Sequence, residues 1–71
     1  MNTDTLLQPI MRPELIGTPV SIWYDEDWEE YQVRVEGAPE SSTHFTDDLW
    51  DAVDTSRYIV KNLDQYLEYR G

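Results

Sequence analysis

The fold of this chain is decided by residues 19–35, which read PVSIWYDEDWEEYQVRV. Apolar and polar residues alternate on both sides of a central acidic stretch, and a period of two is typical of half-buried β-strands. A single register aligns the apolar residues of the two segments, pairing Val20 with Val35, Ile22 with Val33 and Tyr24 with Tyr31. Because all six side chains then share one face, the stretch predicts an antiparallel hairpin with an acidic connection.

The residues before this hairpin predict an irregular apolar arm, residues 1–17. Pro9 and Pro13 interrupt the arm, and each removes a backbone donor and restricts the residue before it, so no long helix fits. The apolar residues between positions 6 and 16 are expected either to lie on the core or to contact a partner. The remainder, residues 18–71, is predicted to be a single small domain.

The residues after the hairpin predict one more strand and then a helix. Residues 37–39, Gly-Ala-Pro, indicate a turn, and a strand-like run follows over residues 42–45. Thr46 is a favourable N-cap residue. Helical spacing of apolar residues then extends over positions 47–69, with a predicted break near Asn62. The predicted fold class is therefore α+β: a small antiparallel three-stranded sheet packed on a C-terminal helix.

The charge of the chain excludes several classes of function. Among 71 residues, 15 are acidic and 5 are Lys or Arg, which gives a formal net charge of −10. Nucleic acids and anionic membrane surfaces are bound through Lys and Arg, so direct binding to either is not expected. The chain has no cysteine and one histidine, which excludes a structural zinc site. No apolar run approaches the ~18 residues of a membrane span, so a cytoplasmic protein is expected. No cofactor is expected either.

No motif for catalysis or metal binding is complete in this sequence. His44 lies near Ser42 and Asp47, but neighbours along a strand point to opposite faces and do not readily form a triad. A calcium-loop spacing that starts at Asp25 places Glu30 where the loop needs glycine. We therefore predict a protein that is not an enzyme and has no dedicated metal site.

The acidic residues are concentrated in two clusters, and each cluster contains a tryptophan. An exposed aromatic side chain among carboxylates offers both an anchor for affinity and charge for steering, which are features of a protein interface. The alternative is that these acids only keep the protein soluble or adapt it to high salt. The residues predicted to bind a partner are Asp25, Glu26, Asp27, Trp28, Glu29, Glu30, Asp47, Asp48, Trp50, Asp51 and Asp54.

Two resemblances follow from these residues. The small size, the charge and the acidic residues at 25–30 and 47–54 resemble the acidic proteins that phages encode against host nucleic-acid machinery: anti-CRISPR proteins, DNA mimics and polymerase inhibitors. This resemblance implies a non-enzymatic inhibitor. The layout from Asp25 through YQVRV (31–35) to FTDDLWDA (45–52) is also similar to HicB-type antitoxin domains, which have a hairpin, a third strand and a helix with an acidic start. This second resemblance concerns the fold alone.

The sequence leaves two functional hypotheses. In the first, the protein is an inhibitor that occupies the basic nucleic-acid-binding surface of a larger protein or nucleoprotein complex, for example a CRISPR effector, in the cytoplasm of a host cell. In the second, it is an antitoxin-like or adaptor module that binds one protein through an apolar face, either the arm at 6–16 or a sheet edge, and the acids only solubilise it. Under either hypothesis, the protein is expected to be a monomer or a homodimer. Charge reversal of Asp25, Asp27 and Glu29 is expected to abolish function only under the first hypothesis.

Overall fold

A four-stranded antiparallel sheet with one main helix packed against it forms the structure, a computed structural model that describes residues 7–66. The strands are hydrogen-bonded to one another in the order in which they occur along the chain. Short 3-10 turns lie at Pro13–Leu15 and Glu40–Ser42. The regular elements are β1 (Leu7–Ile10), β2 (Val20–Asp25), β3 (Glu30–Val35), β4 (His44–Thr46), α1 (Leu49–Lys61) and α2 (Leu63–Tyr66).

The register predicted for the central hairpin of β2 and β3 is confirmed. Ile22 and Val33 pair on the face that packs against α1 and are almost fully buried, whereas Trp23 and Gln32 pair on the opposite face. The helix covers the first face because its buried residues recur at helical spacing and contact both central strands. The core consists of Leu15, Val20, Ile22, Val33, Val35, Ala52, Val53 and Ile59.

The prediction of three strands preceded by an irregular arm is wrong, because residues of the arm form a fourth strand. β1 pairs with β2, which places Ile10 opposite Ile22 and Pro9 opposite Trp23. Proline cannot donate to a sheet ladder, but an edge strand is paired on one side only, so Pro9 is tolerated there. Leu15, from the same arm, is buried in the core. Residues 1–6 of the predicted arm lie outside the described residues.

The start of the helix differs from the prediction that Thr46 is the N-cap. Thr46 belongs to β4 and pairs with Tyr31, so it is held in the sheet. Its hydroxyl accepts a hydrogen bond from the Asp48 backbone N–H at 3.2 Å. Asp48 is the N-cap instead, and its carboxylate accepts from the Trp50 backbone N–H at 2.9 Å. The third predicted strand is likewise shifted, from residues 42–45 to 44–46.

The predicted break near Asn62 is confirmed, since α1 ends at Lys61 and α2 begins at Leu63. The side-chain amide of Asn62 donates to the Tyr58 carbonyl at 2.8 Å, in addition to the bond that this carbonyl accepts from the Asn62 backbone N–H at 3.1 Å. The predicted end of the helix, at residue 69, lies outside the described residues. Within residues 7–66, no helix is both long and apolar enough to cross a membrane.

The capping geometry gives a first testable prediction. Asp48→Ala is expected to lower the free energy of unfolding by about 1 kcal/mol, because the first turn of α1 loses its side-chain acceptor. Asp47→Ala is the matched control, since it removes the same charge from a neighbouring exposed residue that does not cap the helix. Urea unfolding of both variants measures the difference, and equal stabilities would contradict the assignment of Asp48 as the cap.

Candidate functional site

The register of the sheet brings the first acidic cluster and the start of the second to one end of the molecule. The hairpin tip, residues 25–30, joins the end of β2 to the start of β3. Tyr31, near the start of β3, pairs with Thr46, the last residue of β4, so the chain leaves β4 at the end where the hairpin tip lies. The helix therefore begins beside the hairpin tip. We define the acidic end as Asp25, Glu26, Asp27, Trp28, Glu29, Glu30, Asp47 and Asp48.

A tight turn at residues 26–29 presents the side chains of the hairpin tip to solvent. A carboxylate oxygen of Asp25 accepts hydrogen bonds from the backbone N–H groups of Asp27, at 2.9 Å, and Trp28, at 3.4 Å, which fixes the start of the turn. Glu29, the last residue of the turn, has a φ of 54°, in the left-handed region that strains any residue other than glycine. Trp28 is 73% exposed. The turn thus holds a large indole in water between carboxylates.

The hairpin tip has no cation paired with it among residues 7–66. The two ion pairs in that part of the chain are Arg12 with Glu14 and His44 with Asp51, and neither includes a residue of the tip. Like charges this close repel one another, and the repulsion is relieved only by salt or by a cationic partner. The hairpin tip therefore concentrates five carboxylates that have no ion-pair partner in the described part of the chain.

The groups around the hairpin tip experience its negative field. The pKa of the Tyr24 hydroxyl is raised above its usual range, first by burial and then by the nearby Glu29 carboxylate, with Tyr31 and Glu26 adding to the effect. The rings of Tyr24 and Tyr31 pack with centroids 4.8 Å apart on the core side of the sheet. On the neighbouring strand, the side-chain amide of Gln8 donates to the Glu26 carboxylate, a contact that brings no positive charge.

Asp51, predicted to face a partner, is already bound within the protein. Its Oδ2 lies 3.1 Å from His44 Nε2, which connects β4 to α1. Hydrogen bonds from His44 and then from Thr46 hold the pKa of the Asp51 carboxyl below its usual range. We therefore assign Asp51 to the contact between strand and helix rather than to the open acidic surface.

Trp50 is also less open than the sequence predicts. Its ring is 63% exposed, but the Arg12 guanidinium lies over it at 5.9 Å from the ring centroid, within the distance of a cation–π contact. Arg12 additionally binds Glu14 at 3.2 Å. Sequence reasoning missed the contacts of Arg12 with Trp50 and of His44 with Asp51, because both form only through tertiary packing that leaves no local pattern.

The other acidic residues predicted near the start of the helix lie in two different places. Asp47 lies at the acidic end and is exposed, and Asp48 lies there too but uses one oxygen as the helix cap. Asp54 is exposed but lies two turns into α1, about 9 Å from Asp48 at 1.5 Å per residue. Asp54 therefore borders the acidic end rather than belonging to it.

The structure brings together no further chemistry at the positions considered for catalysis or metal binding. His44 contacts Asp51, and the Ser42 hydroxyl donates to the Pro39 carbonyl at 2.6 Å, so the two side chains do not act on each other. Glu36, at position 12 of the calcium-loop spacing that starts at Asp25, follows the far end of β3. Within residues 7–66, no group of three or more His, Asp or Glu side chains is arranged to hold a metal ion.

The acidic end is suited to binding cationic groups, because the hairpin tip carries one exposed indole and five carboxylates that have no ion-pair partner among residues 7–66. Comparison of the chain with protein-family models, with curated proteins and with solved structures found no match. Function is therefore inferred from the geometry and charge of the acidic end.

Proposed function

We propose that this protein is a non-enzymatic inhibitor that binds the basic nucleic-acid-binding surface of a larger protein through its acidic end. The observation that carries the proposal is the pairing of Tyr31 with Thr46, because it is the reason that the hairpin tip and the start of the second acidic cluster, Asp47 and Asp48, lie at one end of the sheet. Two clusters on separate faces would act only as a solubilising charge. On one end, they form a continuous anionic surface that competes with nucleic acid for Lys and Arg side chains.

The hairpin tip combines the two features that such an interface needs. Its carboxylates attract a basic partner and raise the rate of association, although at ~0.15 M salt the attraction extends only about 8 Å. Trp28 then supplies apolar area, since a large aromatic side chain buries about 150–250 Å² in a contact. Tryptophan is also among the residues that most often dominate binding energy at interfaces.

The proposed partner is a basic nucleic-acid-binding protein or a nucleoprotein complex, of which a CRISPR effector is one example. An anti-CRISPR protein or another phage protein that acts on host machinery fits this role, and its site of action is the cytoplasm of the host cell. Direct contact with nucleic acid or with a membrane is not part of the proposal, because the net charge of −10 opposes both. The protein acts as a monomer or a homodimer.

A competition experiment tests the proposal. An RNA-guided nuclease complex and a second basic DNA-binding protein are each loaded with a fluorescent DNA duplex, and displacement by this protein is followed by anisotropy. We expect the protein to displace the duplex at ~0.1 M salt. Because salt also weakens the DNA contact, salt dependence is measured as direct binding of the labelled protein to the DNA-free partner, and we expect this affinity to fall as salt rises from ~0.1 M to ~1 M and the Debye length falls from about 10 to about 3 Å. The triple variant Asp27→Asn, Glu29→Gln, Glu30→Gln is expected to bind at least about tenfold more weakly.

The control variant removes the same charge elsewhere: Glu36→Gln, Glu40→Gln, Asp64→Asn. Glu36 and Glu40 follow the far end of β3, and Asp64 lies beyond the end of α1, which is 13 residues or about 20 Å long. This control is expected to displace DNA as the wild type does. Asp25 is left intact because its carboxylate fixes the hairpin turn. Direct binding to the DNA-free partner that ignores salt, or displacement that both triple variants weaken equally, would contradict the proposal.

A second candidate function is an antitoxin-like or adaptor module that binds through an apolar face. Two exposed apolar side chains favour it: Met11 is 78% exposed and Ile16 is 74% exposed, both within the segment 6–16. The double variant Met11→Ser, Ile16→Ser separates the two functions. Loss of partner binding in this variant, with binding retained in the hairpin-tip variant, identifies the adaptor.

A further inference from the structure

The face of the sheet that α1 leaves uncovered carries a groove that is distinct from the acidic end. The volume of the groove is about 510 Å³, within the range of about 300–1,000 Å³ that is typical of small-molecule sites. Its floor includes Trp23, Gln32, Arg34 and Phe45, and residues 36–40 form one wall. These wall residues follow the end of β3 that is remote from the acidic end.

A buried polar side chain, Gln32, lies at the centre of this floor. It is 8% exposed, and the sheet register places it between Trp23 on β2 and Phe45 on β4. Its Oε1 accepts two hydrogen bonds from the Arg34 guanidinium, at 3.0 and 2.7 Å. The Gln32 amide nitrogen donates to no other residue among 7–66, so this donor remains available to a molecule in the groove. A ligand atom that accepts a hydrogen bond would satisfy it.

The Arg34 side chain supplies a positive charge beside this amide. Arg34 is exposed and takes part in neither of the ion pairs found in the described part of the chain. The neutral carbonyl of Gln32 orients the guanidinium without neutralising it. A guanidinium and an amide N–H group side by side match the two oxygens of a carboxylate.

The net charge of the protein limits which carboxylates can enter. A charge of −10 repels a ligand that is negative overall, so a carboxylate is favoured when the same molecule carries a positive charge. Glu36 and Glu40 line the same groove and can accept hydrogen bonds from an ammonium group. Trp23 and Phe45 offer aromatic surface, which favours stacking with another ring.

We propose that this groove binds the α-carboxylate of an aromatic amino acid. The carboxylate is held by Arg34 and Gln32, and the aromatic ring packs against Trp23. The α-ammonium group is directed to Glu36 and Glu40. Two sources supply this chemistry, a free amino acid or the C-terminal residue of a peptide, and only the free amino acid brings the ammonium group as well.

The test is a titration of the ¹⁵N-labelled protein with L-phenylalanine, followed by NMR. We expect saturable shifts of the Gln32 side-chain amide and of the Trp23 indole N–H, while the Trp28 indole N–H at the acidic end does not move. L-phenylalaninamide, which lacks the carboxylate, and the Arg34→Gln variant are each expected to weaken binding by about tenfold or more. Arg57→Gln, which removes an exposed arginine of α1, is the matched control and is expected to bind as the wild type does.

N-acetyl-L-phenylalanine distinguishes the two sources of the carboxylate. Binding as tight as that of phenylalanine indicates the end of a peptide, and weaker binding indicates the free amino acid. The proposal is overturned if phenylalanine gives no saturable shift, if the amide binds equally well, or if folded Arg34→Gln retains full affinity. Should Arg34→Gln lose its spectral dispersion, the comparison of phenylalanine with its amide on the wild-type protein decides alone. This groove and the acidic end are tested by different ligands, so each proposal stands or fails independently.

Discussion

Ile59→Ala is expected to lower the free energy of unfolding by about 2–4 kcal/mol, because truncating a buried isoleucine loses apolar contact and leaves a cavity. Ile59 lies on α1, is 1% exposed and belongs to the core cluster. A chain of 71 residues has a total stability of roughly 4–10 kcal/mol. This one substitution therefore removes a large share of the stability, and we expect the melting temperature to fall by about 8–32 °C.

Urea unfolding monitored by tryptophan fluorescence measures this effect. Tyr58→Ala is the matched control, since Tyr58 is the preceding residue on the same helix but is 55% exposed. The control is expected to change stability by no more than about 0.5 kcal/mol. Similar losses in the two variants would contradict the packing of this face of α1 against the sheet.

The central hairpin was predictable because its apolar pattern allows only one register. A shift by one residue would move Ile22 and Val33 from the core face to the opposite face, so the pattern alone excludes it. β1 was not predictable in the same way. It is short, Pro9 argues against a strand, and only the edge position makes that proline acceptable. A local signal such as Pro9 predicts little when the place of the strand in the sheet decides whether the strand forms.

The candidate site was predicted residue by residue but not as one surface. The sequence shows that acids are dense at 25–30 and 47–54, yet only the pairing of β3 with β4 determines that the first cluster and the start of the second are adjacent. The same tertiary contacts remove Asp51 and partly cover Trp50, through His44 and Arg12. Contacts between residues that lie this far apart along the chain leave no periodic pattern in the sequence.

At Glu29, the stability of the hairpin turn conflicts with the binding of a basic partner. Its φ of 54° is the one positive value found for a non-glycine residue within the described part of the chain. Hairpin turns usually place glycine at such a position, because a Cβ there costs about 1 kcal/mol or more. A glutamate at this position adds a carboxylate to the anionic surface but lowers the stability of the turn. Strained residues of this kind are found preferentially at functional sites.

Glu29→Gly is therefore expected to raise the free energy of unfolding relative to Glu29→Ala by about 1 kcal/mol, because both variants remove the same charge and only glycine removes the strain. Glu29→Gln removes the charge but keeps a side chain of the same size, so it isolates the electrostatic part, which should vanish in high salt. Urea unfolding of the three variants gives the stabilities, and the duplex-displacement assay gives the affinities. The glycine variant is expected to be more stable than the wild type. If the acidic end binds a basic partner, this variant also displaces DNA less well. A glycine variant that is more stable and displaces DNA with undiminished affinity would show that this carboxylate has no part in binding, and equal stability of the glycine and alanine variants would contradict the left-handed conformation itself.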